Sequence, residues 1–158
     1  MRWTLAVVLS FLVLALPAHA ADDVASKTMT IRVLSITTQA KVLVDRAPKN
    51  VGSGGDVFWA KSVLRNDVAQ FGRPKGALVG SDTSTFTLRS RTQVDVKATA
   101  KLPGGTIRVA GRIQGDGPQA IRVIGGTGRF AKASGTCVVR NLSASGNRAL
   151  NVYRLRLP

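Results

Sequence analysis

The chain has 158 residues, a formal net charge of +15 at pH 7, one cysteine, one histidine and no glutamate. That length fits a single domain able to bury a real core. The one cysteine excludes an internal disulfide, and the scarcity of His and Cys leaves too few ligands for a zinc site.

The N-terminus carries Arg2, then an unbroken apolar run from Leu5 to Leu16, then Pro17 and the small-x-small sequence Ala18-His19-Ala20. This is the layout of a signal peptide, and the run is too short for a spanning helix, which weighs against an uncleaved anchor. Cleavage is expected after Ala20, giving a signal peptide over 1–20, a single β-barrel domain over 21–158, and a secreted or periplasmic location. No cysteine follows the site, so lipid attachment there is not expected, and no later apolar stretch could span a bilayer. His19 leaves with the signal, which removes Ser-His-Asp and Cys-His catalysis from the mature chain.

Beyond it, short β-type runs alternate with Gly, Pro, Asn and Asp clusters, and no long amphipathic helix is legible. Thr28 to Asp45 is rich in Ile, Val, Leu and Thr and reads as a long first strand or a strand with a break. Asn50 to Asp56 is a glycine loop, Asp56 to Leu64 the second strand, and Asn66 to Lys75 a loop. Ala77 to Leu88 is the third strand, with Gly80 a candidate bulge or kink. Gln93 to Lys101 alternates most clearly: Val94, Val96, Ala98 and Ala100 fall on one face, Asp95, Lys97, Thr99 and Lys101 on the other. A turn at Pro103-Gly104-Gly105 leads into Thr106 to Ile113, where Ile107 and Val109 oppose Arg108 and Arg112. Ala120 to Ile124, Ser134 to Leu142 and Arg148 to Leu157 complete a count of about eight, the number that closes into a barrel wide enough for one small ligand. Asn141-Leu142-Ser143 is a glycosylation sequon that matters only in a eukaryotic secretory pathway.

Several glycine-marked blocks recur in order: Gly55-Asp56 with Phe58 and Leu64; Leu78-Val79-Gly80; ATAKLPGGTIRVAG from Ala98 to Gly111; and AIRVIGGTGRFAKASG from Ala120 to Gly135. Over about residues 50–158 this order resembles the allene oxide cyclase/dirigent barrel superfamily, in particular its secreted bacterial members. The resemblance implies an all-β fold, an eight-stranded antiparallel barrel around a lipophilic cavity, often trimeric, whose plant members act on lipid-derived epoxides or guide phenoxy-radical coupling. The chain departs from that pattern in three places. Ala133-Ser134-Gly135 stands where the dirigent branch usually ends Ala-Arg-Gly. Pro118 stands where an acid precedes the strand into GGTG, with Asp116 two residues earlier. A cysteine pair found in relatives near Phe86 and Val96 is absent.

Gly125, Gly126 and Gly128 are read as a structural turn that needs positive φ, against a phosphate cradle, which would open a helix that is not expected here. A cavity that holds an apolar ligand needs aromatic lining and a few orienting polar groups. The ligand-binding candidates are Asp56, Phe58, Trp59, Phe86, Arg122 and Tyr153, with Phe130 as a further aromatic. Asp82 and Asp116 are the weak catalytic candidates. Asp82 is either buried, with a raised pKa and a general-acid role, or an outward carboxylate paired with an arginine. Tyr153 reads first as a packed aromatic with a bonded hydroxyl. Cys137 reads as a small buried hydrophobe, with a reactive thiol or an intermolecular bridge as alternatives. No cofactor and no metal are expected.

The basic residues come singly or in pairs along the strands and are not interleaved with aromatics. They read as a solvated outer face, or else as a surface for anionic envelope polymers, and specific nucleic-acid binding is not expected. The function expected is an exported barrel that binds a hydrophobic small molecule of unknown identity, with a trimeric homo-oligomer implied by the resemblance. The alternatives are a cyclase or dirigent-type enzyme and a structural envelope protein with a basic adhesive surface.

Overall fold

The computed structural model describes residues 26–115 and 117–158. The expected signal peptide and Asp116 lie outside the described residues. Eight strands run in chain order: β1 Lys27–Val44, β2 Val57–Asn66, β3 Leu78–Leu88, β4 Gln93–Leu102, β5 Gly105–Gln114, β6 Gln119–Gly126, β7 Ser134–Asn141 and β8 Arg148–Leu157. Each pairs antiparallel with its sequence neighbour. β1 also pairs with β8, from Lys27 opposite Leu157 to Ile36 opposite Arg148, and so closes the barrel. Closure leaves no free sheet edge among these strands.

Alternation drives the arrangement. Ile107, Val109, Ile121, Val123, Tyr153 and Leu155 are buried, while the residues between them, among them Arg108, Arg122 and Arg154, are exposed. The two ends of the barrel differ. At the end where β2 turns into β3, β4 into β5 and β6 into β7, Ile31, Val33, Leu64, Val79, Leu102, Ile107, Leu155 and Leu157 fill the interior. Phe130, from the β6–β7 connection, is fully buried in this same cluster and plugs that end.

The β6–β7 connection contains a single 3-10 turn, Gly128–Phe130, where no helix is expected from sequence. Three residues are enough to reverse the chain: Phe130 N–H donates to Thr127 O at 3.1 Å and Ala131 N–H to Gly128 O at 3.0 Å. Gly125 (φ 121°) and Gly128 (φ 59°) adopt the left-handed region as expected. Gly126 does not, and it is required for another reason. A Cβ there would overlap the Thr106 carbonyl oxygen and lie 2.7 Å from the Phe130 carbonyl oxygen. Gly80 sits beside a register shift between β2 and β3, as a bulge would place it.

Among the described residues, no helix is long and apolar enough to cross a membrane.

Candidate functional site

The other end of the barrel is hollow. Consecutive strands β1 to β4 place Ala40, Ala60, Ser84 and Ala98 opposite one another on the inner wall. Four small side chains in one row leave the space unfilled. The result is a cavity of about 510 Å³, within the size range of small-molecule sites. Phe58, Phe86, Val94, Val96, Ile113 and Val139 supply its apolar wall, and Ser145, Gly146 and Asn147 of the β7–β8 loop stand at its mouth. Phe86 and Val96 face each other across β3 and β4, so the positions of the missing cysteine pair form part of this wall.

The floor is polar and lies where the hollow meets the packed end. Ser62 and Asp82 are direct neighbours on β2 and β3, and both are buried. Ser35 Oγ donates to Asp82 Oδ2 at 3.0 Å. Desolvation raises the Asp82 pKa, and the serine hydrogen bonds only partly oppose it. Tyr153 and Cys137 are neighbours on β8 and β7 and line the same floor. Burial, with the nearby Cys137 and Asp82, pushes the Tyr153 phenol well above its ordinary range, so it stays a hydrogen-bonding group and not a base. Asn151 completes the cluster. Its Oδ1 is buried without a hydrogen-bond partner, an arrangement that costs about 1–3 kcal/mol until a donor is supplied.

Burial pushes the Cys137 thiol up to about 12. The thiolate is the nucleophile, so this group is inert in the folded barrel. Iodoacetamide at pH 8 is expected to leave Cys137 unmodified in native protein and to label it fully in guanidinium, as read by intact mass. Rapid native labelling would contradict this geometry.

Of the residues singled out from sequence, Phe58, Phe86, Asp82 and Tyr153 converge on the cavity. The buried alternative for Asp82 is the one the fold adopts. The others go elsewhere. Trp59 follows Phe58 on β2, and consecutive strand residues cannot both point inward. It borders the cavity, but its ring stands on the outer side, with Lys41 Nζ 5.1 Å from the ring centroid. Arg122 lies between buried Ile121 and Val123 and is exposed on the outer wall, so it is not a polar end of the cavity. Asp56 is buried but outside the lining. It accepts from Arg46 N–H and Ser53 N–H, both at 2.6 Å, and so ties down the β1–β2 loop. Phe130 belongs to the plug at the far end. Ser35, Ser62 and Asn151 were not singled out. Their signal was available: each sits two residues from a buried apolar residue (Val33, Leu64, Tyr153), a polar group on the apolar face of its strand.

Among the described residues, no three His, Cys, Asp or Glu side chains gather as a metal site would need.

A family described as "Dirigent-like protein" matches residues 27–157. The chain belongs to this family. Solved structures with the same barrel include a pyocyanin demethylase at 19% identity, with a TM-score of 0.64 over 80% of this chain and 99% of the other. The pterocarpan synthase dirigent protein GePTS1 is 17% identical, with a TM-score of 0.65 over 84% of each chain. The Diels-Alderase AbmU from Streptomyces koyangensis is 16% identical, with a TM-score of 0.66 over 86% of this chain and 71% of the other. No curated protein matches the chain by sequence. At these identities the structural likeness establishes the dirigent-like fold, and the chemistry must be argued from the residues of this chain.

Proposed function

We propose that this dirigent-like barrel binds a hydrophobic small molecule in its cavity, with the molecule's polar end at the Ser35, Ser62, Asp82 and Asn151 floor. The observation that carries the reading is the pairing of an apolar hollow with a buried, unpartnered Asn151 Oδ1 and with Asp82, a carboxyl group whose pKa burial raises. Such a floor favours a ligand with a donor for Asn151 Oδ1 and a further polar atom for the Ser62 hydroxyl and the Asp82 carboxyl group. The apolar wall supplies affinity in proportion to buried area, and the floor supplies orientation.

One observation favours a second reading, a cyclase or dirigent-type enzyme. Burial raises the Asp82 pKa at the floor of the hollow, the direction that favours a carboxylic acid able to protonate or polarise a reacting oxygen. Three barrels of similar shape are described as a demethylase, a pterocarpan synthase and a Diels-Alderase, which agrees with chemistry on lipophilic molecules in such a cavity. Export after cleavage at Ala20, with residues 21–158 as one domain, and assembly into a homo-oligomer remain part of the proposal. N-terminal sequencing of protein recovered from outside the cytoplasm is expected to begin at Ala21.

The test is uptake of an apolar fluorescent probe, 1-aminonaphthalene-8-sulfonate or N-phenyl-1-naphthylamine, together with native mass spectrometry of protein taken from its own source. Ala98→Trp fills the hollow from the small-residue row. It is expected to reduce uptake at least about tenfold while circular dichroism stays β-type. Undiminished uptake by a folded Ala98→Trp protein would mean that the probe binds elsewhere, and the cavity reading would fall.

A further inference from the structure

A second concavity, of about 260 Å³, lies on the outer wall of the barrel. The register builds it from two rows. Trp59, Thr85 and Lys97 stand opposite one another on β2, β3 and β4, and Thr83, Thr99 and Arg108 do so on β3, β4 and β5. Each row crosses three strands, about 10 Å, the width of roughly two sugar rings. A bulge between β5 and β6 leaves Ile124 unpaired next to Gly125 and raises it as the far edge.

The chemistry of these rows is specific in kind. Lys97 and Arg108 are exposed and have no ion pair among the described residues. The hydroxyls of Thr83, Thr85 and Thr99 make no hydrogen bond to protein there. Among the described residues, Asp95 is the one carboxylate at an outward strand position. It stands two residues from Lys97, but Arg89 and Arg112 hold it at 2.6 and 2.7 Å and keep its pKa down to about 2. Two free cations, three free hydroxyls and one indole edge call for an anion that is also rich in hydroxyl groups.

We propose that this outer groove binds an anionic carbohydrate, a carboxylate-bearing sugar unit of an acidic glycan. Lys97 and Arg108 take the carboxylate, the threonines take ring hydroxyls, and Trp59 on β2 and Ile124 on β6 bound the groove at its two edges. Two other occupants fit less well. A single-stranded nucleic acid needs several stacking aromatics, and the groove has one. A second copy of this chain would bring another strongly basic wall against this one, which like charges oppose.

The test measures affinity for oligogalacturonate at fixed ionic strength, with neutral dextran, polyacrylate and duplex DNA as comparison ligands. Lys97→Gln with Arg108→Gln is expected to weaken oligogalacturonate binding about tenfold or more, whereas Arg140→Gln with Arg156→Gln, equal in charge but placed on β7 and β8, changes it about twofold or less. Thr83→Val with Thr99→Val is expected to weaken oligogalacturonate and leave polyacrylate unchanged, which separates a sugar site from a diffuse field. The proposal is overturned if wild-type protein does not bind oligogalacturonate, if both charge pairs matter equally, or if the threonine pair has no effect. It is also overturned if the groove pair governs DNA binding alone, or if its removal lowers the assembly mass by sedimentation, which would make the face an interface between copies.

Discussion

Gly126→Val is expected to lower the melting temperature by about 10 °C or more and to cut the yield of folded protein sharply. The added Cβ has no room: the Thr106 carbonyl oxygen occupies its position, and the Phe130 carbonyl oxygen lies 2.7 Å away. Both are backbone atoms, so relief requires β5 to move from β6 or the Phe130 plug to lift. Overpacking of this kind costs about 3 kcal/mol, and more when backbone must shift. Gly117→Ala is the matched control, because a Cβ there meets nothing within 4 Å. It is expected to melt within about 2 °C of wild type. Probe uptake by Gly126→Val should fall only with the unfolded fraction. A variant that melts normally yet loses uptake would place the turn in the ligand site and overturn the division between scaffold and cavity.

Asp82→Asn should behave in the opposite way, with fold retained and chemistry altered. The sign follows from proton linkage. Burial raises the Asp82 pKa in the folded barrel above its ordinary value of 3.8, so between those two values the native state holds a proton that the unfolded chain releases. Stability therefore carries no penalty from this group below about pH 4, falls as pH rises from there to the folded pKa, and is level above it. Asparagine cannot ionise, so Asp82→Asn removes the penalty. The melting temperature of the variant relative to wild type is expected to rise between pH 4 and the folded pKa, and taking the difference cancels the opposite contribution of Asp95, which both proteins share. A difference that falls with pH would mean that Asp82 is ionised and stabilised in the barrel. Ligand retention should change at once, because the amide cannot donate an acidic proton. If the enzyme reading holds, turnover disappears while uptake of the neutral probe stays within about threefold.

The strands were legible because period-two alternation is a local signal. β4 and β5 were read to within one or two residues, and so was the long β1, since Val, Ile and Thr densities mark strands without knowledge of partners. The eight-strand count and the glycine blocks pointed to the family that the match over residues 27–157 identifies. The site was read less well, because inward and outward are properties of register. Phe58 and Trp59 are equally attractive as aromatics. Only the shared parity of Trp59 with Lys61, against that of Phe58 with Ser62 and Leu64, separates them. Arg122 had the same clue between Ile121 and Val123. Asp56 lies before β2 begins, where alternation says nothing, and its burial comes from loop hydrogen bonds. A cavity was expected from the strand count and the resemblance, but its place within the barrel was not legible. It arises from Ala40, Ala60, Ser84 and Ala98 meeting in one row, and they come from four strands whose alignment no single segment encodes.

The pairing of β1 with β8 bears on the order of events in the life of the chain. Residues 27–36 pair with residues 148–157, and of these only Val33 to Ile36 also pair with β2, so the first part of the longest strand has no strand partner until the last strand is available. Such distant pairings slow folding relative to folds built from local contacts, since the loop entropy must be lost before the contacts form. A partly synthesised chain lacks the seam and cannot close the barrel. The seam therefore also acts as a timer, holding back the closed state until the last strand has been made.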